Sequence, residues 1–208
     1  MDMDKRMENN IVTLSGKIFS QPVFSHTLFE EQFYTFDLCV LRLSGNCDIL
    51  PCMICQKTMA TVNLFEGDMV SIQGQLRSHN KIVDGCSRLE LRVFVKDIEM
   101  ETDATPDVNT IELTGYICKP TTYRVTPFGR EITDMLVAVN RAYNKSDYIP
   151  VICWGRNARF AKGLEVGDRI AATGRIQSRD YEKKLESGDV MKRTAYEVSI
   201  SSISKVEQ

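Results

Sequence analysis

The segment LEVGDRIAATGRIQS, residues 164–178, repeats an earlier segment of the same chain, LFEGDMVSIQGQLRS at residues 64–78. Glycine, aspartate and serine positions recur with an offset of 100: Gly67, Asp68, Gly74 and Ser78 return as Gly167, Asp168, Gly174 and Ser178. Such a period is far longer than the roughly 20–50 residues of a solenoid unit. The repeat therefore predicts that the 208-residue chain contains one fold twice.

The repeat continues upstream of these segments with an offset of 99. IVTLSGKIFSQP (11–22) matches TIELTGYICKP (110–120), FDLCVLRL (36–43) matches MLVAVNRA (135–142), and Pro51 matches Pro150. A change of one in the offset indicates a single insertion. The stretch METDATPDVN (100–109) between the copies is polar, contains a proline and has no strand periodicity, as linkers do. We predict two domains, residues 8–101 and 108–208.

Strand periodicity dominates both copies. TIELTGYI (110–117) and DRIAATGRIQS (168–178) alternate apolar and polar residues, which is typical of half-buried strands. A glycine inside each strand indicates a bulge or a tight bend. One short helix per copy is predicted between the third and fourth strands, at 57–65 and 156–164. The expected fold class is all-β, with two tandem five-stranded barrels of the OB-fold type.

Composition narrows the function classes. The start of the chain is charged and no apolar run approaches the roughly 18 residues of a membrane span, so an intracellular, non-membrane protein is expected. The seven cysteines are odd in number and indicate no disulfide framework. Cys52 and Cys55 form one C-x-x-C without a second pair, so no metal site and no cofactor are predicted. The cysteines are interpreted as small apolar strand residues.

Charge is unevenly distributed between the two copies. Residues 1–106 contain 10 Lys/Arg and 15 Asp/Glu, a net charge of −5, whereas residues 107–208 contain 16 and 13, a net charge of +3. The sum is the −2 of the whole chain. This asymmetry suggests that the second copy contacts a polyanion.

The second copy resembles a known family. The segments ELTGYICKP, TPFGREI, LVAVNRAY, SDYIPVICWG, GDRIAATGRIQSRDYE and YEVSISSI occur in the order found in bacterial single-stranded DNA-binding proteins. The first copy resembles the same fold with a degenerate sequence motif. The whole chain resembles the tandem type, in which one polypeptide carries two OB domains. That resemblance implies a homodimer with four OB domains.

The resemblance also implies the binding residues. Base-stacking positions fall on Tyr143, Tyr148, Trp154 and Tyr181. Stacking of a base on an aromatic ring contributes roughly 1–3 kcal/mol, and cations track the phosphates. The interleaved candidate phosphate contacts are Arg141, Lys145, Arg156, Arg159, Arg175, Arg179, Lys183 and Lys184. Tyr148 and Trp154 are six residues apart, an even spacing that predicts one shared strand face.

The same positions in the first copy hold no aromatic residue. They are Ser44, Ile49, Cys55 and Lys81. We therefore expect the first domain to be degenerate, with a structural or partner-binding role or weak DNA binding through Arg42, Lys57, Arg77 and Lys81. Its first hairpin contains Phe24, Phe29, Phe33 and Tyr34, which form either a partner surface or hairpin packing.

The favoured hypothesis is a largely sequence-nonspecific binder of single-stranded DNA in replication, recombination or repair, cytoplasmic and nucleoid-associated. RNA remains an open alternative target, since stacking does not detect the 2′-OH. The second hypothesis is an OB-fold assembly module of a primosome or replisome. An enzyme is disfavoured, because no phosphate-binding glycine loop or hydrolase motif is present. The family usually has an acidic C-terminal tail, whereas this sequence ends at SSISKVEQ, so protein partners are left open.

Overall fold

The computed structural model of the chain describes residues 9–83, 85–102, 106–184 and 190–207. Residues 8 and 208, the outer bounds of the predicted domains, and residues 103–105 of the predicted linker lie outside this part. The fold is mostly β. None of the described helices is long and apolar enough to cross a membrane.

Within the described residues, each half contains six strands and one short α-helix. The first half contains β1 (Asn10–Ile18), β2 (Val23–Leu28), β3 (Glu31–Leu41), β4 (Cys47–Cys55), α1 (Gln56–Met59), β5 (Met69–Val83) and β6 (Cys86–Met100). The second contains β7 (Val108–Ile117), β8 (Thr122–Val125), β9 (Glu131–Asn140), a 3-10 turn (Ala142–Asn144), β10 (Ser146–Trp154), α2 (Gly155–Ala161), β11 (Arg169–Lys184) and β12 (Val190–Lys205).

Two details differ from the expectation. Five strands were expected per half, and the sixth is the short hairpin strand, β2 or β8, which pairs with β3 or β9. The helices are also shorter than the predicted segments 57–65 and 156–164. In α1 the physical reason is local, because Thr58, Thr61 and Val62 are β-branched and lose side-chain freedom in a helix.

All twelve strands belong to one sheet, in the order β2-β3-β4-β6-β5-β1-β7-β11-β12-β10-β9-β8. Additional pairings, β3 with β1 and β7 with β9, curl each half back on itself. The antiparallel pair β5–β6 and its counterpart β11–β12 are the longest hairpins. We refer to them as the long hairpins.

The two halves meet where β1 pairs antiparallel with β7. Val12 lies opposite Ile111, and these two residues are equivalent at the offset of 99. A pair of equivalent residues facing each other means that the halves are related by an approximate two-fold axis at this point, as in an isologous interface. The axis places each long hairpin next to the other half.

A buried aspartate at each side of this junction ties a long hairpin to the opposite half. Asp48 accepts hydrogen bonds from Arg42 Nε (2.7 Å) and from the backbone N–H of Ser178 (2.7 Å). Its equivalent Asp147 accepts one from the backbone N–H of Ser78 (2.8 Å). Both aspartates are 0% exposed, and these donors replace the water that a buried carboxylate has lost.

The interpretation of all seven cysteines as small apolar residues is wrong for two of them. Cys39 and Cys47 form a disulfide between β3 and β4. In the strand register Cys39 lies opposite Ile49 and Cys47 opposite Leu41, so the two thiols are diagonal neighbours on one face. Cys52 and Cys153 are buried, and burial raises the pKa of Cys153 to about 12. Both fit the apolar interpretation.

Candidate nucleic-acid interface

The outer face of β10 carries two of the predicted stacking residues. Ile149, Val151 and Cys153 face the core, whereas Tyr148 and Trp154 lie on the opposite face and are exposed. Ile152, which lies between them on that face, is buried. Tyr148 is 45% exposed and Trp154 is 38% exposed. The even spacing in the sequence therefore translates into two aromatic rings on one accessible strand face.

Tyr143 lies on the short turn that connects β9 to β10. Its φ of 59° is left-handed, a conformation that a tyrosine rarely adopts. The turn is closed by a hydrogen bond from Arg141 N–H to the Lys145 carbonyl oxygen (2.7 Å). Tyr143 is 91% exposed, so the turn presents the ring to solvent beside the β10 face.

Tyr181 lies on β11 in the second long hairpin, opposite Arg193 of β12. It lines a groove that also contains Pro150, a residue on the same outer face of β10 as Tyr148 and Trp154. The outer face of β10 and the groove are therefore continuous. Tyr148 and Trp154 share one face of β10, whereas Tyr181 lines the groove.

The predicted phosphate contacts differ in their surroundings. Lys145 and Arg156 are exposed, and Arg175 contacts Gln177 Oε1 (3.4 Å). Arg179 lies 3.9 Å from Glu197, and Arg159 forms an ion pair with Glu131. The side chains of Lys183 and Lys184 lie outside the described part of the structure.

Arg141 is oriented toward the junction between the halves. Its Nη1 lies 3.4 Å from Oδ1 of the buried Asp147. Arg77 of the first half shares the same carboxylate, at 3.0 Å. Arg42, the equivalent of Arg141, contacts Asp48 in the same way. The two arginines therefore balance buried carboxylates in both halves, a role that the sequence did not suggest.

The first half has an aromatic ring beside, rather than at, the position equivalent to Trp154. Phe33 on β3 is opposite Cys55, whose equivalent is Trp154. Phe33 stacks on His26, with centroids 5.1 Å apart, and lies 6.1 Å from Phe94. A comparison of equivalent positions alone does not find this cluster, because Phe33 lies on β3, the strand next to Cys55. The alternation of β3 contained the signal, since it places Phe33 and Thr35 on one face.

The described residues include no group of three or more His, Cys, Asp or Glu side chains arranged to hold a metal ion. The chemistry on the surface around β10 is instead that of aromatic faces and guanidinium groups. Such groups bind flat, apolar rings and phosphate or carboxylate oxygens.

Comparisons with known proteins agree with this geometry. Residues 108–206 match the Single-strand binding protein family. A "Single-stranded DNA-binding protein" of Clostridium tetani is 36% identical over 84 residues, which cover 37% of this chain and 58% of that protein. "Single-stranded DNA-binding protein A" of Bacillus subtilis is 31% identical over 84 residues, covering 37% of this chain and 49% of that protein. The matches thus span about half the length of these relatives.

A solved structure extends the similarity to both halves. The wild-type single-stranded DNA-binding protein from Thermus aquaticus superposes with a TM-score of 0.78 and 19% sequence identity. The superposition covers 96% of this chain and 93% of that chain. At this identity the similarity establishes the fold, and it does so for nearly the whole chain.

Proposed function

We propose that this chain, which belongs to the single-strand binding protein family, binds single-stranded DNA without catalysing a reaction and largely without sequence preference. The observation that carries the proposal is the pair of exposed rings, Tyr148 and Trp154, on one face of β10. Every base offers a ring face, so stacking binds strands of any sequence.

The architecture that accompanies this function is two tandem OB-fold domains, residues 8–101 and 108–208. Each is a five-stranded barrel extended by one hairpin strand, with a short helix between the third and fourth barrel strands. The same pairing scheme in both halves supports this assignment. By analogy with the tandem type of the family, two chains would form a homodimer with four such domains, acting in the cytoplasm at the nucleoid.

The proposed contacts are divided between rings and cations. Bases stack on Tyr143, Tyr148, Trp154 and Tyr181. Phosphates contact Lys145, Arg156, Arg159, Arg175, Arg179, Lys183 and Lys184. The side chains of Arg159 and Arg179 are 62% and 59% exposed, so both remain accessible to a phosphate. We propose that Arg141 forms its ion pair with Asp147 and does not contact DNA, because the Asp147 carboxylate is buried.

Trp154 is the only tryptophan of the chain and reports on its own site. We expect oligo-dT to quench its fluorescence, and salt to weaken the binding by about 0.7 in log–log slope for each phosphate contacted. With labelled oligo-dT, Tyr148→Ala and Trp154→Ala should each weaken binding by about 1–3 kcal/mol, roughly 5-fold to 150-fold.

Phe160→Ala is the matched control, because Phe160 is an exposed ring on α2 rather than on the sheet face. It should bind like the wild type. Duplex DNA and oligo-U define the selectivity for single strands and for DNA. Unchanged affinity in Tyr148→Ala and Trp154→Ala would reject stacking and favour the alternative, an OB-fold assembly module of a primosome or replisome.

A further inference from the structure

The Cys39–Cys47 disulfide encloses the turn that connects β3 to β4. The Cα atoms of the two cysteines are 5.9 Å apart, within the usual range for a disulfide. Two backbone hydrogen bonds close the enclosed turn. The N–H of Arg42 donates to the carbonyl oxygen of Asn46 (2.7 Å), and the N–H of Gly45 donates to that of Arg42 (2.8 Å). The disulfide therefore links the two strands on either side of this turn.

The second half contains the equivalent turn without a disulfide. At the offset of 99, the residues equivalent to Cys39 and Cys47 are Ala138 and Ser146. The register of β9 against β10 nevertheless equals that of β3 against β4 at this offset. A strand pair of this kind thus forms without the bond. The Cys39–Cys47 disulfide is therefore an addition to the fold rather than a requirement for it.

Both cysteines of this bond are partly accessible. Cys39 and Cys47 are of intermediate exposure, and the turn residues 43–46 beside them are exposed. Cys52 and Cys153, by contrast, are free thiols that are buried. Exposed disulfides are the ones that other thiols can attack and reduce. Among the described cysteines, Cys39 and Cys47 therefore form the pair that is open to thiol–disulfide exchange.

The enclosed turn carries contacts that hold the second long hairpin. Arg42 lies inside the loop that the disulfide closes, and Asp48 directly follows Cys47. Asp48 accepts hydrogen bonds from the backbone N–H (2.7 Å) and from Oγ (3.0 Å) of Ser178. Arg42 Nη2 donates to the carbonyl oxygen of Ser178 (3.0 Å). A bond that restrains the backbone around Arg42 and Asp48 also restrains their contacts with Ser178.

The equivalent contact on the other side of the junction has a different support. Asp147 has two arginines beside it, Arg77 at 3.0 Å and Arg141 at 3.4 Å. On the Asp48 side, the residue at the position of Arg77 is Gln177, which is neutral. That side lacks this second positive charge, so it depends more on the turn that the disulfide closes.

We propose that Cys39 and Cys47 form a reversible site of thiol–disulfide exchange, and that its redox state sets how firmly the first half holds the second long hairpin at Ser178. In the oxidised state the bond restrains the turn. In the reduced state the turn opens more readily, as its equivalent in the second half can. The inference concerns the junction between the halves and does not depend on the stacking residues of β10.

The reaction partner is a disulfide of the glutathione class. One cysteine thiolate attacks a sulfur atom of glutathione disulfide and displaces one glutathione thiolate. The second cysteine thiolate then attacks the mixed disulfide and displaces the other glutathione thiolate, which closes the Cys39–Cys47 bond. The protein loses two protons and two electrons, and glutathione disulfide is reduced to two thiols. Excess reduced glutathione reverses both steps.

Alkylation with iodoacetamide, followed by peptide mass spectrometry, measures the state of the bond on the folded chain. In excess glutathione disulfide, Cys39 and Cys47 should resist alkylation. In excess reduced glutathione, both should be alkylated. Alkylation that does not respond to the glutathione ratio would overturn the inference, because the bond would then be either permanent or absent.

Hydrogen exchange at two equivalent amides measures the effect on the junction. The N–H of Ser178 donates to Asp48, and the N–H of Ser78 donates to Asp147. Reduction should speed exchange of the Ser178 amide about 10-fold, because the bond no longer opposes opening of the turn. The Ser78 amide should stay within about twofold, since the turn at 141–146 contains no cysteine. Equal responses of the two amides, or no response of either, would overturn the link to the junction.

Cys39→Ser should show, in oxidising buffer, the fast Ser178 exchange of the reduced wild type, because the disulfide cannot form. Cys118→Ser is the matched control. Cys118 is of intermediate exposure and free, and its thiol donates to the carbonyl oxygen of Leu136 (3.2 Å), a contact that a serine hydroxyl can keep. This variant should keep the redox response of the wild type. Slow Ser178 exchange in Cys39→Ser would show that the disulfide does not restrain the turn.

Discussion

At the scale of single residues, Tyr143 combines an unfavourable backbone with full exposure of its ring. Its φ is 59° and that of the following Asn144 is 54°. The equivalent turn of the first half contains Ser44 and Gly45, and there the left-handed residue is a glycine with a φ of 82°. Strain of about 1–3 kcal/mol at a surface tyrosine is consistent with a functional position.

Tyr143→Gly should maintain or raise stability, by up to about 1 kcal/mol, because glycine adopts the left-handed conformation without steric cost. The same change should weaken binding of oligo-dT by about 1–3 kcal/mol, because the ring is lost. Urea unfolding and fluorescence anisotropy measure the two effects.

Asn144→Gly is the control within the same turn. It provides a glycine at a left-handed position and keeps the tyrosine, so binding should be unchanged. If Tyr143→Gly binds as tightly as Asn144→Gly, Tyr143 does not stack on bases.

At the scale of elements, each long hairpin depends on one glycine. The register of β11 against β12 shifts between Thr173 and Gly174, and the register of β5 against β6 shifts between Gln73 and Gly74. A Cβ atom on Gly174 would overlap the carbonyl oxygen of Ser199. The conflict is with backbone, which cannot move aside as a flexible side chain can. The sequence predicted a bulge or tight bend here, and the register shift confirms it.

Gly174→Ala should lower the free energy of unfolding by about 2–3 kcal/mol, because the methyl group forces the two strands apart. Urea unfolding followed by circular dichroism measures this loss. In Gly163→Ala the nearest atom to the new methyl group is the Phe160 carbonyl oxygen at 3.6 Å, an ordinary contact. That control should stay within about 1 kcal/mol of the wild type. Equal stability of the two variants would contradict the role assigned to the bulge.

At the scale of the whole molecule, the two halves are joined by the β1–β7 pair and by the buried aspartates. Burial alone would raise the pKa of Asp48, but hydrogen bonds from Arg42 and from the backbone and side chain of Ser178 outweigh it. The pKa of Asp48 is therefore lower than its ordinary value. The hydrogen bonds that Arg42 donates to Asp48 also raise the pKa of Arg42, so both partners stay charged.

A lowered pKa in the folded state links Asp48 to acid stability. The stabilisation is fully present above the unfolded pKa of about 3.9 and is lost as pH falls from there through the folded pKa. Asp48→Asn should lower the free energy of unfolding by about 2–3 kcal/mol at neutral pH, because Arg42 loses its buried partner. Below about pH 4 its stability should fall less steeply than that of the wild type.

Urea unfolding between neutral pH and about pH 3 measures both effects. Asp134→Asn is the control, because it removes one carboxylate from an exposed ion pair with Arg124. It should change stability by at most about 1 kcal/mol. An Asp48→Asn variant with the acid dependence of the wild type would show that Asp48 does not stabilise the junction.

The sequence by itself determined features that depend on local periodicity and on the repeat. Alternation along SDYIPVICW places Tyr148 and Trp154 on one face, because successive side chains of a strand point in opposite directions. The recurrence of Gly74 as Gly174 marked the bulge of each long hairpin. These features need no knowledge of which strands are neighbours.

Only the tertiary structure decided features that depend on contacts between strands or between halves. Arg141 faces Asp147, Phe33 lies opposite Cys55, and Cys39 reaches Cys47 because of particular strand registers. Arg88 and Arg193 line one groove only because β1 pairs with β7 about an approximate two-fold axis. Register and pairing decide which residues of neighbouring strands face each other, and the local alternation of a strand carries no information about its neighbour.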